Sequence, residues 1–240
     1  MDWKVKVVKR AMDIAIAGTG LLAGAPLLGA IAAAVKLTSK GPVFYSQVRA
    51  GANQDVMGDA IHDVPIFKMY KFRSMVVDAE KGTGAVLAAK GDPRVTTVGK
   101  ILRRTRLDEL PQLYNVLIGD MSVVGPRPER PELLQNLALA IPFFEERMRM
   151  VKPGITGLAQ VELSYTGEMS KSSELRKYTD QLLNPFKMDE AEGALADDMR
   201  TKLLYDFAYS VRLEDFRTFL ETDVGIILRT PLVMILGKGR

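Results

Sequence analysis

The chain has 240 residues, 47% hydrophobic and 26% charged, and its 33 Lys and Arg against 29 Asp and Glu leave a formal net charge of +4. It contains no Cys and a single His, His62, which excludes disulfide frameworks, thiolate zinc sites, iron–sulfur clusters and thiol nucleophiles, and argues against a His-based triad. This length suits one domain, with or without appendages, while so mild a charge cannot separate nucleic acid, anionic lipid or a phosphorylated small molecule as partner.

The first element is the stretch from Ala11 to Val35, almost entirely apolar or small, flanked by Lys9 and Arg10 on one side and Lys36 and Lys40 on the other. Such a run is long enough to cross a hydrocarbon core of about 30 Å at roughly 1.5 Å per residue. Pro26 beside Gly24 would kink it, however, and Asp13 lies near one end. Basic flanks favour the cytoplasmic side, so two of them fit a helix that enters and returns. A re-entrant hairpin is therefore preferred over a simple span, a buried core helix or a cleaved signal peptide.

Positions 40 to 51 read as a turn followed by a short alternating strand, with Gln47 and Arg49 on one face. Ala50 to Val64 reads as a variable hairpin loop, and His62 within it as a surface residue. Ile66 to Met75 looks like a second strand, whose period of two sends Lys71 and Arg73 from one face, a pair suited to an anion. From Asp78 to Pro93 the composition is that of a surface segment.

Val98 to Leu117 has helical periodicity, but Pro111 cannot sit in a helix interior. A new helix is thus expected around Asp108, with Asp108 as its N-cap. Gly119 to Glu129 is loop-like and carries Gly125-Pro126-Arg127-Pro128; Pro153 to Gly157 is a second tight turn. Glu168 to Arg200 is polar and reads as surface helices or a variable insertion. Leu203 to Leu236 is amphipathic, and Arg229 and Pro231 leave its last apolar run too short to span but suited to a membrane interface.

The block Leu102-Arg103-Arg104-Thr105-Arg106-Leu107-Asp108-Glu109-Leu110-Pro111-Gln112 carries the chemistry. Three arginines precede adjacent carboxylates at an expected helix start, where unsatisfied N–H groups favour ionised carboxylates and bound phosphates. There Asp108 would be a nucleophile, with guanidinium groups on a phosphate and a divalent metal completing the site. A capped helix with solvated arginines is the plainer reading of the same spacing. Arg127 between two prolines is either a rigidly presented guanidinium or part of an ordinary turn, and for Lys71, Arg73, Gln47 and Arg49 a solvated strand face is the alternative.

Taken in order, the basic-flanked apolar N-terminus, Gly-Pro-Val-Phe-Tyr-Ser-Gln-Val-Arg, Tyr-Lys-Phe-Arg-Ser-Met, Leu-Asp-Glu-Leu-Pro-Gln-Leu-Tyr-Asn-Val-Leu, Gly-Asp-Met-Ser-Val-Val-Gly-Pro-Arg-Pro and Lys-Pro-Gly-Ile-Thr-Gly-Leu-Ala-Gln-Val resemble the bacterial sugar transferases. More narrowly, the chain resembles the small monotopic polyprenol-phosphate phosphoglycosyl transferases over roughly residues 5 to 165, and again at Tyr205-Asp206-Phe-Ala-Tyr.

The resemblance implies transfer of a sugar 1-phosphate from a UDP-sugar to polyprenol (undecaprenyl) phosphate, releasing UMP, as the first membrane step towards an exopolysaccharide, O-antigen or glycoprotein glycan. It implies Asp108 as nucleophile of a ping-pong mechanism through a phosphoglycosyl-aspartate, Glu109 as the carboxylate that with Asp108 meets Mg2+, and Arg103 and Arg127 as phosphate-binding residues. Gln47, Arg49, Lys71 and Arg73 join them on charge and strand spacing alone. The family's re-entrant helix breaks at a Ser-Pro pair; here the pair is Ala25-Pro26, so the break rests on Pro26 and Gly24 without a hydroxyl to satisfy freed backbone groups.

The expected fold is α/β, mainly helical with a small sheet: a monotopic membrane protein with an N-terminal helix-break-helix and interfacial amphipathic helices. Its expected parts are a re-entrant hairpin over 1–39, a catalytic core over 40–165, a polar insertion over 166–204 and an amphipathic membrane-interface segment over 205–240. Expected partners are a UDP-sugar, polyprenol phosphate and membrane lipids, not nucleic acid, with homo-oligomerisation left open, on the cytoplasmic face of a bacterial inner membrane. Two other readings of the same residues are a non-catalytic scaffold holding anionic lipid and a Mg2+-dependent phosphohydrolase of a lipid diphosphate.

Overall fold

A computed structural model of the protein describes residues 1–53, 64–79, 81, 92–163, 173–181 and 194–235. The expected loop around His62, most of the 78–93 segment and much of the 168–200 stretch lie outside the described residues. Helices predominate, and the strands form two separate two-stranded pairs.

The apolar run folds as one helix, α1 (Trp3–Thr38), N-capped by Asp2. It is the one helix among the described residues long and apolar enough to cross a membrane. The expected break at Ala25-Pro26 is not a break in the helix, because the backbone stays helical through Pro26. An interior proline removes one hydrogen bond and kinks the axis, and the turns on either side can continue.

Of the two basic flanks, read as marking the cytoplasmic side, the first turns inward, while Lys36 and Lys40 are exposed. Lys9 is buried, and its Nζ donates to the Val124 carbonyl at 2.9 Å, to Tyr209 Oη at 2.9 Å and to Asp223 Oδ2 at 2.6 Å. Arg10 donates to the Val116 and Leu117 carbonyls, both at 2.6 Å, and Asp13 accepts from Ser122 Oγ at 2.9 Å and from the Val123 N–H at 2.8 Å. Between the buried Ala17 and Ile31 no residue of α1 is buried, and beyond that stretch Ile31 and Val35 pack with Phe72 and Leu102. Both ends of α1 therefore rest on the rest of the protein, and the stretch between them is exposed or only partly covered, with Gly20 beside Leu113 and Leu28 against the Phe72 and Leu102 cluster.

Replacing Lys9 with Met is expected to cost about 3 kcal/mol, since it leaves Asp223 charged and buried without its cation. Thermal unfolding in detergent measures this, and Lys9→Met with Asp223→Leu should recover most of the loss.

Strands β1 (Phe44–Ala50) and β2 (Ile66–Phe72) pair antiparallel, with Tyr45 opposite Lys71 and Gln47 opposite Met69. The two segments expected to be loops contain strands β3 (Ser122–Val124) and β4 (Gly154–Thr156), which pair in parallel with Ser122 opposite Gly154. Three residues amid glycine and proline carry too short a pattern to stand out from a turn. The backbones approach closely here: a Cβ on Gly154 would lie 2.1 Å from the Gly125 nitrogen, and one on Gly125 would lie 2.2 Å from the Lys152 carbonyl oxygen. This contact holds the Gly-Pro-Arg-Pro loop against β4.

Helices α2 (Thr97–Thr105), α3 (Gln112–Ile118), α4 (Pro131–Ala140) and α5 (Leu158–Glu162) follow the chain around the β-strands. The largest core joins Val5 and Ala17 of α1 to Val116, Met121, Val124, Leu158, Tyr209 and Phe219. The proposed boundary between 204 and 205 falls within α6 (Ala194–Arg212). In α7 (Phe216–Ile235), Phe219, Asp223 and Ile226 face the core while Val224, Leu228 and Leu232 are exposed, so the expected amphipathic end is half committed to packing.

Candidate active site

Helix α2 stops at Thr105 because Arg106 enters the left-handed region at φ 58°, a conformation that costs a non-glycine residue about 1–2 kcal/mol. The chain then makes a single 3-10 turn over Leu107–Glu109 before α3, which Pro111 precedes. Asp108 thus sits in the 3-10 turn and does not cap α3, contrary to expectation. Proline can occupy a helix start, so the α-helix begins just after Pro111 instead of at the dyad.

Both dyad carboxylates are buried, and their surroundings differ. Glu109 Oε1 lies 2.8 Å from Lys71 Nζ, 3.2 Å from Arg127 Nη2 and 3.7 Å from Arg106 Nη1. Burial works against its charge, yet Arg127, Lys71 and Arg106 outweigh burial and hold the carboxyl well below the usual range. Burial, reinforced by the Glu109 charge, pushes Asp108 up against the opposing pull of Lys71, Arg103 and Arg106. The expectation that a helix terminus would favour an ionised Asp108 is thereby reversed. Asp108 Oδ1 is buried and has no hydrogen-bond partner among the described residues.

The sequence-derived cations divide. Lys71, on β2, and Arg127 meet at Glu109. The Arg103 side chain, on a half-buried residue of α2, makes no hydrogen bond or ion pair among the described residues and acts on the dyad through its charge alone. Arg49 donates to Gln47 Oε1 at 2.6 Å, and burial lowers it to about 10 against the pull of Glu129, with Arg127 and Arg130 pushing the same way as burial.

Arg49 also lines a small cavity of about 10 Å3 with Met69, Gln112, Arg127, Pro128 and Gly154. Arg73 is directed elsewhere: it lies just past the end of β2, and its guanidinium donates to the Ser39 carbonyl and Ser39 Oγ, both at 2.8 Å, and to the Lys40 carbonyl. It clamps the C-terminal end of α1 instead of joining Lys71 at an anion. Ala25 and Pro26 are exposed on α1.

Sequence reasoning missed the residues that brace this site. Asn115, fully buried on α3, accepts from the Tyr70 N–H at 3.0 Å and donates to the Lys68 carbonyl at 2.7 Å, which pins β2 beside α3 and puts Lys71 next to the dyad. A lone Asn inside the apolar Leu-Tyr-Asn-Val-Leu run was the available signal. Among the described residues no three His, Cys, Asp or Glu side chains cluster as metal ligands, so the dyad supplies a carboxylate pair and no closed protein cage.

An ionic cluster around one carboxylate thus lies beside a second carboxylate with an unsatisfied oxygen. It is the centre of a chain that belongs to the bacterial sugar transferase family, whose sequence profile matches residues 4–237. The chain is 38% identical over 233 residues to the UDP-N-acetylgalactosamine-undecaprenyl-phosphate N-acetylgalactosaminephosphotransferase of Aeromonas hydrophila, a match covering 97% of this chain and 44% of that protein. It is 45% identical over 171 residues to the UDP-glucose:undecaprenyl-phosphate glucose-1-phosphate transferase of Klebsiella pneumoniae, covering 71% of this chain and 34% of that one. With the exopolysaccharide production protein PSS of Rhizobium leguminosarum bv. phaseoli it shares 44% identity over 158 residues, 65% of this chain and 74% of that protein. The chain thus spans less than half the length of the first two relatives.

Proposed function

We propose that this protein transfers a sugar 1-phosphate from a UDP-sugar to undecaprenyl phosphate, at the start of the assembly of a surface glycan. The observation that carries the reading is the asymmetry of the dyad: Glu109 is neutralised by Lys71, Arg127 and Arg106, while Asp108 Oδ1 is buried without a hydrogen-bond partner among the described residues. A carboxylate whose oxygen is neither solvated nor hydrogen-bonded is a stronger nucleophile than one in water.

In this mechanism Asp108 attacks the β-phosphorus of the UDP-sugar, the bond to the bridging oxygen breaks, and UMP leaves with that oxygen. A phosphate oxygen of the polyprenol phosphate then attacks the same phosphorus, the Asp108–phosphorus bond breaks, and the carboxylate is regenerated beside a polyprenol diphosphosugar. Arg127 and Lys71 orient the diphosphate, and the Arg103 guanidinium, without a hydrogen bond or ion pair among the described residues, takes a phosphate oxygen. The unpaired Asp108 oxygen and the adjacent Glu109 suit Mg2+, which keeps one or two protein carboxylates and takes the rest of its ligands from water and phosphate. Bound there, it would neutralise charge on the diphosphate.

Incubating the protein with undecaprenyl phosphate, Mg2+ and a panel of UDP-sugars labelled in the sugar tests the reading. UMP release with label on the lipid is the expected result; label released to water would indicate hydrolysis, and no release at all would favour a lipid-binding scaffold.

The membrane arrangement is part of the same proposal. The stretch between Ala17 and Ile31 rises only about 20 Å at 1.5 Å per residue, short of a hydrocarbon core of roughly 30 Å. Both of its ends are fastened to the same body, so it dips into one leaflet and returns, with the site on the cytoplasmic side. Cysteines replacing Lys4 and Lys40 in this Cys-free chain should both label from the same side of sealed vesicles; labelling from opposite sides would rule the dip out.

A further inference from the structure

Arg147 has no role in the mechanism above, yet its side chain is only 2% exposed. It belongs to a 3-10 turn, Phe144–Met148, and its guanidinium stacks 5.0 Å from the ring of Phe144. Nε and Nη2 each lie 2.8 Å from Asp206 Oδ2 on α6, Nη1 lies 3.5 Å from Glu129 Oε1, and Nη2 donates to the backbone carbonyl of Arg127 at 3.1 Å. Asp206 is also buried.

Stability alone does not account for this arrangement. Two charges taken out of water recover little net free energy from each other, and apolar side chains of similar volume commonly serve as well. Apolar side chains cannot hold a carbonyl. Pro126 and Pro128 have no N–H, so the loop they frame depends on its carbonyls for anchorage. Pro126 accepts from the Gly154 N–H at 2.8 Å and Glu129 from the Ala50 N–H at 2.9 Å. Arg147 supplies the bond between them, on the residue whose own guanidinium reaches Glu109.

We propose that Arg147, braced by Asp206, is a positioning residue that holds the Arg127 backbone so that the Arg127 guanidinium meets Glu109. The path runs from α6 through Arg147 to Arg127 and ends at the dyad. A lysine at 147 keeps the charge but has no planar fork, so it cannot engage Asp206, Glu129 and the carbonyl together. This inference rests on the transferase reading for its kinetic consequence and on the geometry alone for its structural one.

The test uses the full chain in lipid nanodiscs. Arg147→Lys is expected to lower kcat for UMP release about tenfold, since small misplacements of an orienting group carry losses of this order. In an Arg127→Ala background the same change should alter turnover by less than about twofold, because the residue it acts through is gone. Asp206→Asn, which preserves volume, should follow the same pattern. Equal losses in both backgrounds would mean a general structural role and overturn the proposal.

Hydrogen exchange gives a readout independent of chemistry. The amides of Arg127, Glu129 and Arg130 should exchange faster in Arg147→Lys while those of α7 do not change; unchanged exchange in the loop refutes the positioning role. If the unaltered protein releases no UMP from any UDP-sugar, the transferase reading fails, and the exchange result alone decides the role of Arg147.

Discussion

Asp108→Asn should lower UMP release from a UDP-sugar by roughly a thousandfold or more, the scale expected when the residue that forms the covalent intermediate is lost. The amide has the volume of the carboxylate and removes a charge that sits beside Glu109, so the fold and membrane association should be unaffected. Substantial remaining turnover would exclude Asp108 as nucleophile. The environment also sets the pH response. Burial and the Glu109 charge raise the Asp108 carboxyl, and in the proposed mechanism only its ionised form would attack phosphorus. UMP release by the unaltered protein should therefore fall off, as the pH is lowered, at a higher pH than an ordinary aspartate would give, and a pH–rate profile of the first half-reaction checks this.

Glu109→Gln should be the second most damaging change, and for a different reason. Glu109 Oε1 is the shared anion of Lys71, Arg127 and Arg106, and Lys71 is largely buried. Removing the charge leaves a buried ammonium without a counter-ion, a loss of about 3 kcal/mol in stability, and frees three cations to reorient, with UMP release down at least a hundredfold. Pairing Glu109→Gln with Lys71→Met should restore much of the melting temperature and none of the activity. Recovery of activity in the double variant would show that the cluster serves folding alone.

The parts legible in the sequence were those set by local pattern. The apolar run from Ala11 to Val35 became α1, the alternation after Gly41 and after Pro65 became β1 and β2, and Pro111 placed an interruption beside the dyad. Lys71, singled out by charge and strand spacing, and Arg127, singled out by its motif, both reach Glu109. What escaped was decided by partners remote in the chain. Lys9 and Arg10 were legible only as a basic flank of the apolar run, but Asp223 and the end of α3 claim them. Arg73 shares a nominal strand face with Lys71, yet the strand ends at Phe72 and Arg73 turns to the Ser39 and Lys40 carbonyls. Arg147 stood in an undistinguished Glu-Glu-Arg-Met stretch, and nothing local signals that Asp206, Glu129 and Arg127 surround it.

The fastening of α1 at both ends, by Lys9 and Arg10 at one and Arg73 at the other, makes the anchor a depth gauge. The segment between them cannot slide along its axis or pivot without breaking buried bonds to the body that carries Asp108. In the proposed membrane arrangement, how far that segment sinks into the leaflet would set the height of Asp108 above the acyl chains. On the proposed function, a lipid phosphate at headgroup level and a sugar nucleotide from water would meet at that height, which would make bilayer thickness and the length of that segment joint determinants of turnover.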